Sequence, residues 1–392
     1  MSIGAPRVVA VVMLCHFIAA FAALGMPPFF ALILQRSLHN DMPWLAGAFY
    51  VVPTLLAAVS APWWGRLADR FGKKPLLLRA QLGLAASFLL AGYATNSLSF
   101  LAALVLQGVL GGTFAASNAY LATVASGTTL TRSLTAMQWS ARAALVAAPV
   151  CLGLWMGVES PIVLYRWLAL LPLVAAALIA WLPAGGATAG AAKRALADDA
   201  ATLAPATSRQ IYVLQLSFVF ATVVTFPYFI PDMQQRLPGA SAAAAGLLFG
   251  LPHLVYLVAA PLLSRRLGLA PSLGLLAAAF GALALSLFAQ AVPLNAPALV
   301  LWRLLMGVAM TAGFIGLHAL VASVVQAGNA GHTFGWFESS SKWGAVAGGL
   351  AAGAAATALG LRAPYLLGAA LLAPMAVYLL LAARPRARAL SL

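Results

Sequence analysis

Long apolar runs follow one another along the whole of this chain. Cut at charges, prolines and turn clusters, they fall near residues 8–34, 43–65, 75–94, 98–125, 133–157, 162–182, 210–231, 242–263, 270–291, 297–325, 333–358 and 364–383. Each is long enough to cross a bilayer as a helix, which takes ~20 residues. Composition agrees: 63% of the 392 residues are hydrophobic and 7% are charged, whereas soluble domains carry about a quarter of charged residues. The sequence therefore predicts an all-α integral membrane protein with twelve transmembrane helices.

The first run follows Arg7 and is much longer than the ~7–15 apolar residues of a secretory signal, so it reads as a retained span. Cys15 and Cys151 both lie inside apolar runs and read as small buried hydrophobes, with no disulfide or metal framework and no cofactor expected. The net charge is +15, yet the basic residues are scattered between apolar runs. A nucleic-acid binder groups them on one polar surface, so nucleic acid is not an expected partner; the bilayer is.

Those charges orient the chain. With an even number of spans, Arg7, Arg66, Arg70, Lys73, Lys74, Arg132, Arg209 and Arg384 fall on one face, against only Arg36, Arg166, Arg236 and Arg362 on the other. The positive-inside rule then makes both termini cytoplasmic. The one long polar stretch, rich in Ala, Gly and Thr, reads as a cytoplasmic linker at 183–209 between an N-terminal half (1–182) and a C-terminal half (210–392).

Sliding the chain along itself by one fixed interval superposes Pro28 on Pro227, Gly47 on Gly246, Pro53 on Pro252, Arg66 on Arg265 and Gly108 on Gly307. Landmarks of spans one to four thus recur in spans seven to ten. Parallel repeats of this kind belong to transporters built from two like halves, with the solute site near the midplane between them.

Between spans two and three stands Gly65-Arg66-Leu67-Ala68-Asp69-Arg70-Phe71-Gly72-Lys73-Lys74. It resembles in full the G-x-x-x-D-R-x-G-K/R-K signature of the major facilitator superfamily. The resemblance implies the major facilitator fold, with two pseudo-symmetric six-helix halves, and a gating role for Gly65, Asp69, Arg70, Gly72, Lys73 and Lys74. Gly65 would admit a neighbouring helix, and the Asp69 carboxylate would lie against the positive end of a helix of the other half, near Thr333. The second copy, Ser264-Arg265-Arg266-Leu267-Gly268, has lost the acid. Ala148-Pro149-Val150-Cys151-Leu152-Gly153 in span five is similar to the G-P-x-x-G-G motif of exporters, with Ala148 and Leu152 in place of two glycines. Span four has Leu104 where proton antiporters of this family have arginine, while Arg303-Leu304-Leu305-Met306-Gly307 in span ten has that form. The general cast resembles the drug-proton antiporter branch, and the run from Asp69 to Leu84 resembles siderophore exporters of the alcaligin type in the bacterial inner membrane.

A charge deep in a span is costly and is by default a functional candidate. Arg142, Arg303, Glu338 and Lys342 qualify. Glu338 is the one acid expected at depth and the first candidate for proton coupling, with Lys342 one turn away as its partner and Arg303 and Asp232 behind it. These deep charges favour an anionic or hydroxyl- and carbonyl-rich small-molecule solute over a lipophilic cation. Arg142, Gln107, Asn118, Gln138, Trp139, Gln215 and Trp336 are the expected cavity residues, while His16, His253 and His318 are second-rank sites. Spans one and seven should bend at Gly25-Met26-Pro27-Pro28 and Phe226-Pro227.

No G-x-x-x-x-G-K-[ST] loop occurs, so ATP is not the direct fuel, and no clustered nucleophile or acid-base set points to an enzyme. The resemblance implies a monomeric, proton-coupled exporter. Sugar or metabolite efflux, multidrug efflux, import and a transport-dead receptor remain as alternatives.

Overall fold

The structure, a computed structural model, describes residues 5–124, 127–184, 206–267, 272–292, 295–324 and 330–383. Apolar segments in lipid must bond their own backbone groups, and helices occupy all of the expected spans. Nine of them, among the described residues, are long and apolar enough to cross a membrane by composition alone. Span one is interrupted at Pro27–Phe29 between helices Ala5–Gly25 and Phe30–Ser37. Span seven is interrupted around Pro227 between Ser208–Val223 and Phe229–Arg236.

Two boundaries differ from the sequence expectation. The second span runs as one helix from Pro43 to Phe71, so Gly65 to Arg70 sit on its last turns and not in a loop. The chain reverses at Gly72, whose φ of 96° is open only to glycine at low cost. Span four is broken in mid-membrane: helix Ser97–Leu110 stops, Gly112 takes a φ of 80°, and a second helix runs over Thr113–Val124. Carbonyls freed by that break would be orphaned in lipid, and side chains from spans two and three reach them. The Trp64 indole donates to the Val109 carbonyl at 2.6 Å, and the Arg79 guanidinium donates to Leu110 and Gly111 while stacking on the Trp64 ring. Trp64→Phe should lower the thermal stability of the detergent-solubilised protein by about 1–2 kcal/mol, since it leaves the Val109 carbonyl without its donor. A melting curve checks this.

The repeat reappears as matched packing. A Cβ on Gly108 would meet the Pro53 carbonyl at 2.7 Å, and one on Gly307 would meet the Pro252 carbonyl at 3.0 Å. The positions that superpose in sequence thus make the same approach between the second and fourth helices of each half. Between the halves, spans two and eleven cross, as do spans five and eight. A Cβ on Gly47 would stand 2.6 Å from the Gly349 carbonyl oxygen, and one on Gly246 would stand 2.6 Å from the Pro149 carbonyl carbon. Small residues permit such contact where apolar helices have no hydrophobic drive to associate.

Candidate functional site between the two halves

Among the described residues, the close inter-half approaches lie on the face opposite residues 5 and 383. Gly153 meets Ala242, Gly353 meets Trp44, and the buried Tyr228 hydroxyl donates to the Pro43 carbonyl across the interface at 2.9 Å. Beyond this seal, on the side away from residues 5 and 383, lies a crevice of about 520 Å³ lined by residues of both halves, including Gln35, Asp41, Gln234 and Gln235. Towards the other face no such approach between the halves is made among the described residues. Trp139, Gln138, Trp336, Trp343 and His318 are exposed there, and nothing lies within 4 Å of a Cβ on Gly65. Among the described residues the expected close helix approach at Gly65 is not seen, and the Thr333 end of span eleven lies outside them.

At the inner limit of the seal sits Arg142. Its Nη1 lies 3.2 Å from His253 Nδ1, and its guanidinium carbon is 4.7 Å from the Tyr256 ring and 4.5 Å from the Phe314 ring. These partners belong to spans eight and ten, so the side chain crosses from one half to the other and does not snorkel along its own helix. The wall continues through His318, 6.1 Å from Phe314, and through Phe226, 6.0 Å from both His253 and Tyr50. Among the described residues no carboxylate lies within ion-pair distance of Arg142. A cation held by aromatic faces and an imidazole is partly compensated and retains its capacity for an anionic oxygen.

The remaining expectations divide. Gln138 and Trp139 are exposed on the same helix as Arg142, and Gln107 is half-buried in span four. Asn118 is half-buried on the helix after the span-four break, its side-chain oxygen unpartnered. Gln215 is half-buried: its amide nitrogen donates to the Phe337 carbonyl at 3.1 Å and to Ser341 at 2.8 Å, tying span seven to span eleven, while its amide oxygen has no partner among the described residues. Trp336 packs on Tyr212 with ring centroids 4.6 Å apart. Lys342 is half-buried; the side chains of Glu338 and Asp69, and with them the Glu338–Lys342 pairing, lie outside the described residues, as does the Thr333 side chain.

Asp232 is buried in a bidentate ion pair with Arg236, at 2.9 and 2.8 Å, and stands 3.9 Å from Arg362. Arg236 in turn holds the carbonyls of Gln290 and Val292. Lys74, expected at the gate, donates to the Ala180 and Leu182 carbonyls and so caps the end of span six. Arg70 lies over Phe71 at 5.3 Å. Arg303 is 3% exposed and donates to carbonyls of span eight. Tyr256 and Phe314 are the residues that sequence reasoning missed. The i, i+4, i+7 spacing of Phe249, His253 and Tyr256 was the available signal, but aromatics at helical spacing in an apolar span read as packing.

Two six-helix halves in close contact on one face, with a cation and an aromatic wall between them, define a multi-pass membrane transporter rather than an enzyme. The chain belongs to the Major Facilitator Superfamily, whose model matches residues 12–294 and 213–391. It is similar to the multidrug resistance protein MdtG of Yersinia enterocolitica, 39% identical over 111 residues, and to that of Salmonella paratyphi A, 38% identical over 113 residues. Those matches take in 28% of this chain and 27–28% of the relatives, so the chain spans little more than a quarter of their length. Among solved structures it resembles the human organic anion transporter MFSD10 (TETRAN), with a TM-score of 0.69 at 19% identity over 97% of this chain and 100% of that one. A POT family transporter in complex with 5-aminolevulinic acid superposes with a TM-score of 0.77 at 11% identity, over 96% of each chain. At these identities the likeness shows the fold alone.

Proposed function

We propose that the protein exports a small polar organic solute, anionic or rich in carbonyl and hydroxyl oxygens, from the cytoplasm across the bacterial inner membrane, driven by inward proton flow. The observation that carries this reading is Arg142, enclosed by Tyr256, Phe314 and His253 with no described carboxylate beside it. A solute carboxylate, hydroxamate or catecholate would complete the guanidinium, and its flat parts would stack on the aromatic wall. An iron-free siderophore is one solute of this kind. In this reading the halves 1–182 and 210–392 rock about the central site as a monomer, with the 183–209 linker and both termini in the cytoplasm and the open face directed inward. Asp69 and its motif hold the inward side when it closes, and Glu338, beside Lys342, exchanges the coupling proton.

The test is accumulation in everted vesicles under an imposed proton gradient. Arg142→Ala should reduce uptake of an iron-free dihydroxamate by at least about tenfold, the loss of one charge-assisted contact of ~1.5–3 kcal/mol. Glu338→Gln should abolish gradient-driven accumulation and spare solute exchange. Full uptake by Arg142→Ala would sink the solute assignment, and unchanged gradient dependence in Glu338→Gln would sink the coupling assignment. Multidrug efflux is the second reading, favoured by the stretch shared with MdtG. It predicts that ethidium accumulates and the dihydroxamate does not.

A further inference from the structure

Span eight contains Pro252, which has no N–H to offer the carbonyl four residues earlier and whose ring crowds the preceding turn. In lipid the Leu248 carbonyl would then be orphaned, a costly state for a backbone group. Arg303 of span ten meets this need. Its Nε donates to the Leu248 carbonyl at 2.9 Å, its Nη2 donates to the Phe249 carbonyl, and its Nη1 rests against the Met306 sulfur at 3.4 Å. The plane of the guanidinium lies over the Phe229 ring, 4.3 Å from its centroid.

We propose that Arg303 is a positioning residue: it replaces the hydrogen bond that Pro252 removes and so fixes the bend of span eight that aims His253 and Tyr256 at Arg142. The inference rests on the reading of that wall as the solute site. His253 follows Pro252 directly and Tyr256 lies one turn on, so the direction of both depends on how span eight turns at the proline. Phe249, whose carbonyl Arg303 holds, packs against Phe226 at 4.9 Å and Phe229 at 6.1 Å, extending the same wall. A planar fork holds its donors at a fixed spacing over these two carbonyls while its face stacks on Phe229, a geometry that the compact ammonium of a lysine does not reproduce.

The N-terminal half is an internal control. There Pro53 withdraws the donor from span two in the same way, and Gly108 packs on it as Gly307 packs on Pro252. Yet Leu104 stands in the place of Arg303, and of the two matching carbonyls, those of Phe49 and Tyr50, the second takes the hydroxyl of Thr54 at 3.4 Å. The arginine is thus present in the half whose proline-containing helix presents His253 and Tyr256 to Arg142.

The test combines Arg303→Leu and Arg303→Lys with Pro252→Ala in the full-length, detergent-solubilised protein. Arg303→Leu should lower the melting temperature by several degrees when Pro252 is present and by almost nothing with Pro252→Ala, which restores the missing N–H. Arg303→Lys should fall between. Equal losses in both backgrounds overturn the proposal. In everted vesicles Arg303→Lys should raise the KM for the iron-free dihydroxamate several-fold and leave Vmax and the pH profile as they are; a shifted pH profile at unchanged KM would make Arg303 a proton-coupling group instead. The melting cycle needs no solute, so it decides the assignment of Arg303 even if the dihydroxamate proves to be the wrong cargo.

Discussion

Gly246→Val should reduce transport at least about tenfold while the protein still inserts and folds. A Cβ at this position would overlap the Pro149 carbonyl oxygen and stand 2.6 Å from its carbon. Both are backbone atoms that cannot rotate away, so spans five and eight must separate. Overpacking of this kind costs about 1–3 kcal/mol or more, and here the whole cost falls on the arrangement in which the outer seal is closed. Each 1.4 kcal/mol removes about a factor of ten from that state's population. An alternating-access cycle must pass through it on every turn, so turnover follows the population. Gly47→Val, against the Gly349 carbonyl and the Tyr228 hydroxyl, should act in the same way. Gly307→Val provides the contrast. Its neighbours, Pro252 and Val255, lie within the same half, so this variant should lose expression and melting temperature as well as transport. Uptake and melting of the three variants decide the point: if Gly246→Val transports normally, the seal is not part of the cycle.

Asp232→Asn should be the most destabilising single-atom change in the C-terminal half. The Asp232 side chain is 2% exposed and that of Arg236 is 6% exposed, so their 2.8 Å contact is a buried ion pair. Removing one partner leaves the other charge uncompensated, which costs about 3–5 kcal/mol. The same arginine holds the Gln290 and Val292 carbonyls and lies 5.7 Å from the Tyr365 ring. Its release therefore loosens the joint between spans seven, nine and twelve. A melting temperature lower by on the order of 10 °C is expected, with any loss of transport following loss of folded protein. The alternative has a different signature. If Asp232 carried the coupling proton, Asp232→Asn would melt like the parent and lose only its gradient dependence.

The bends of spans one and seven were legible because proline acts locally: Pro27, Pro28 and Pro227 each remove a donor wherever they stand. The break in span four was not. Gly111-Gly112 looks like many glycine pairs in an apolar helix, and the break persists because Trp64 and Arg79, far away in sequence, cap the freed carbonyls. Lys74 and Gln215 show the converse. Both have residue types expected at a gate or a cavity, and both are engaged in holding neighbouring helices, Lys74 at the end of span six and Gln215 on span eleven.

Sequence alone determined that this chain lives in a bilayer, how many times it crosses, and that its two halves repeat, because the length of an apolar run and the spacing of prolines and glycines are written along one dimension. The tertiary structure decided what the deep charges do. Arg142 and Arg303 carry the same guanidinium in equally apolar spans, but one crosses the interface to an aromatic wall and the other caps carbonyls freed by a proline. A buried charge takes its role from the partners that compensate it, and those partners come from other helices, more than fifty residues away in the chain.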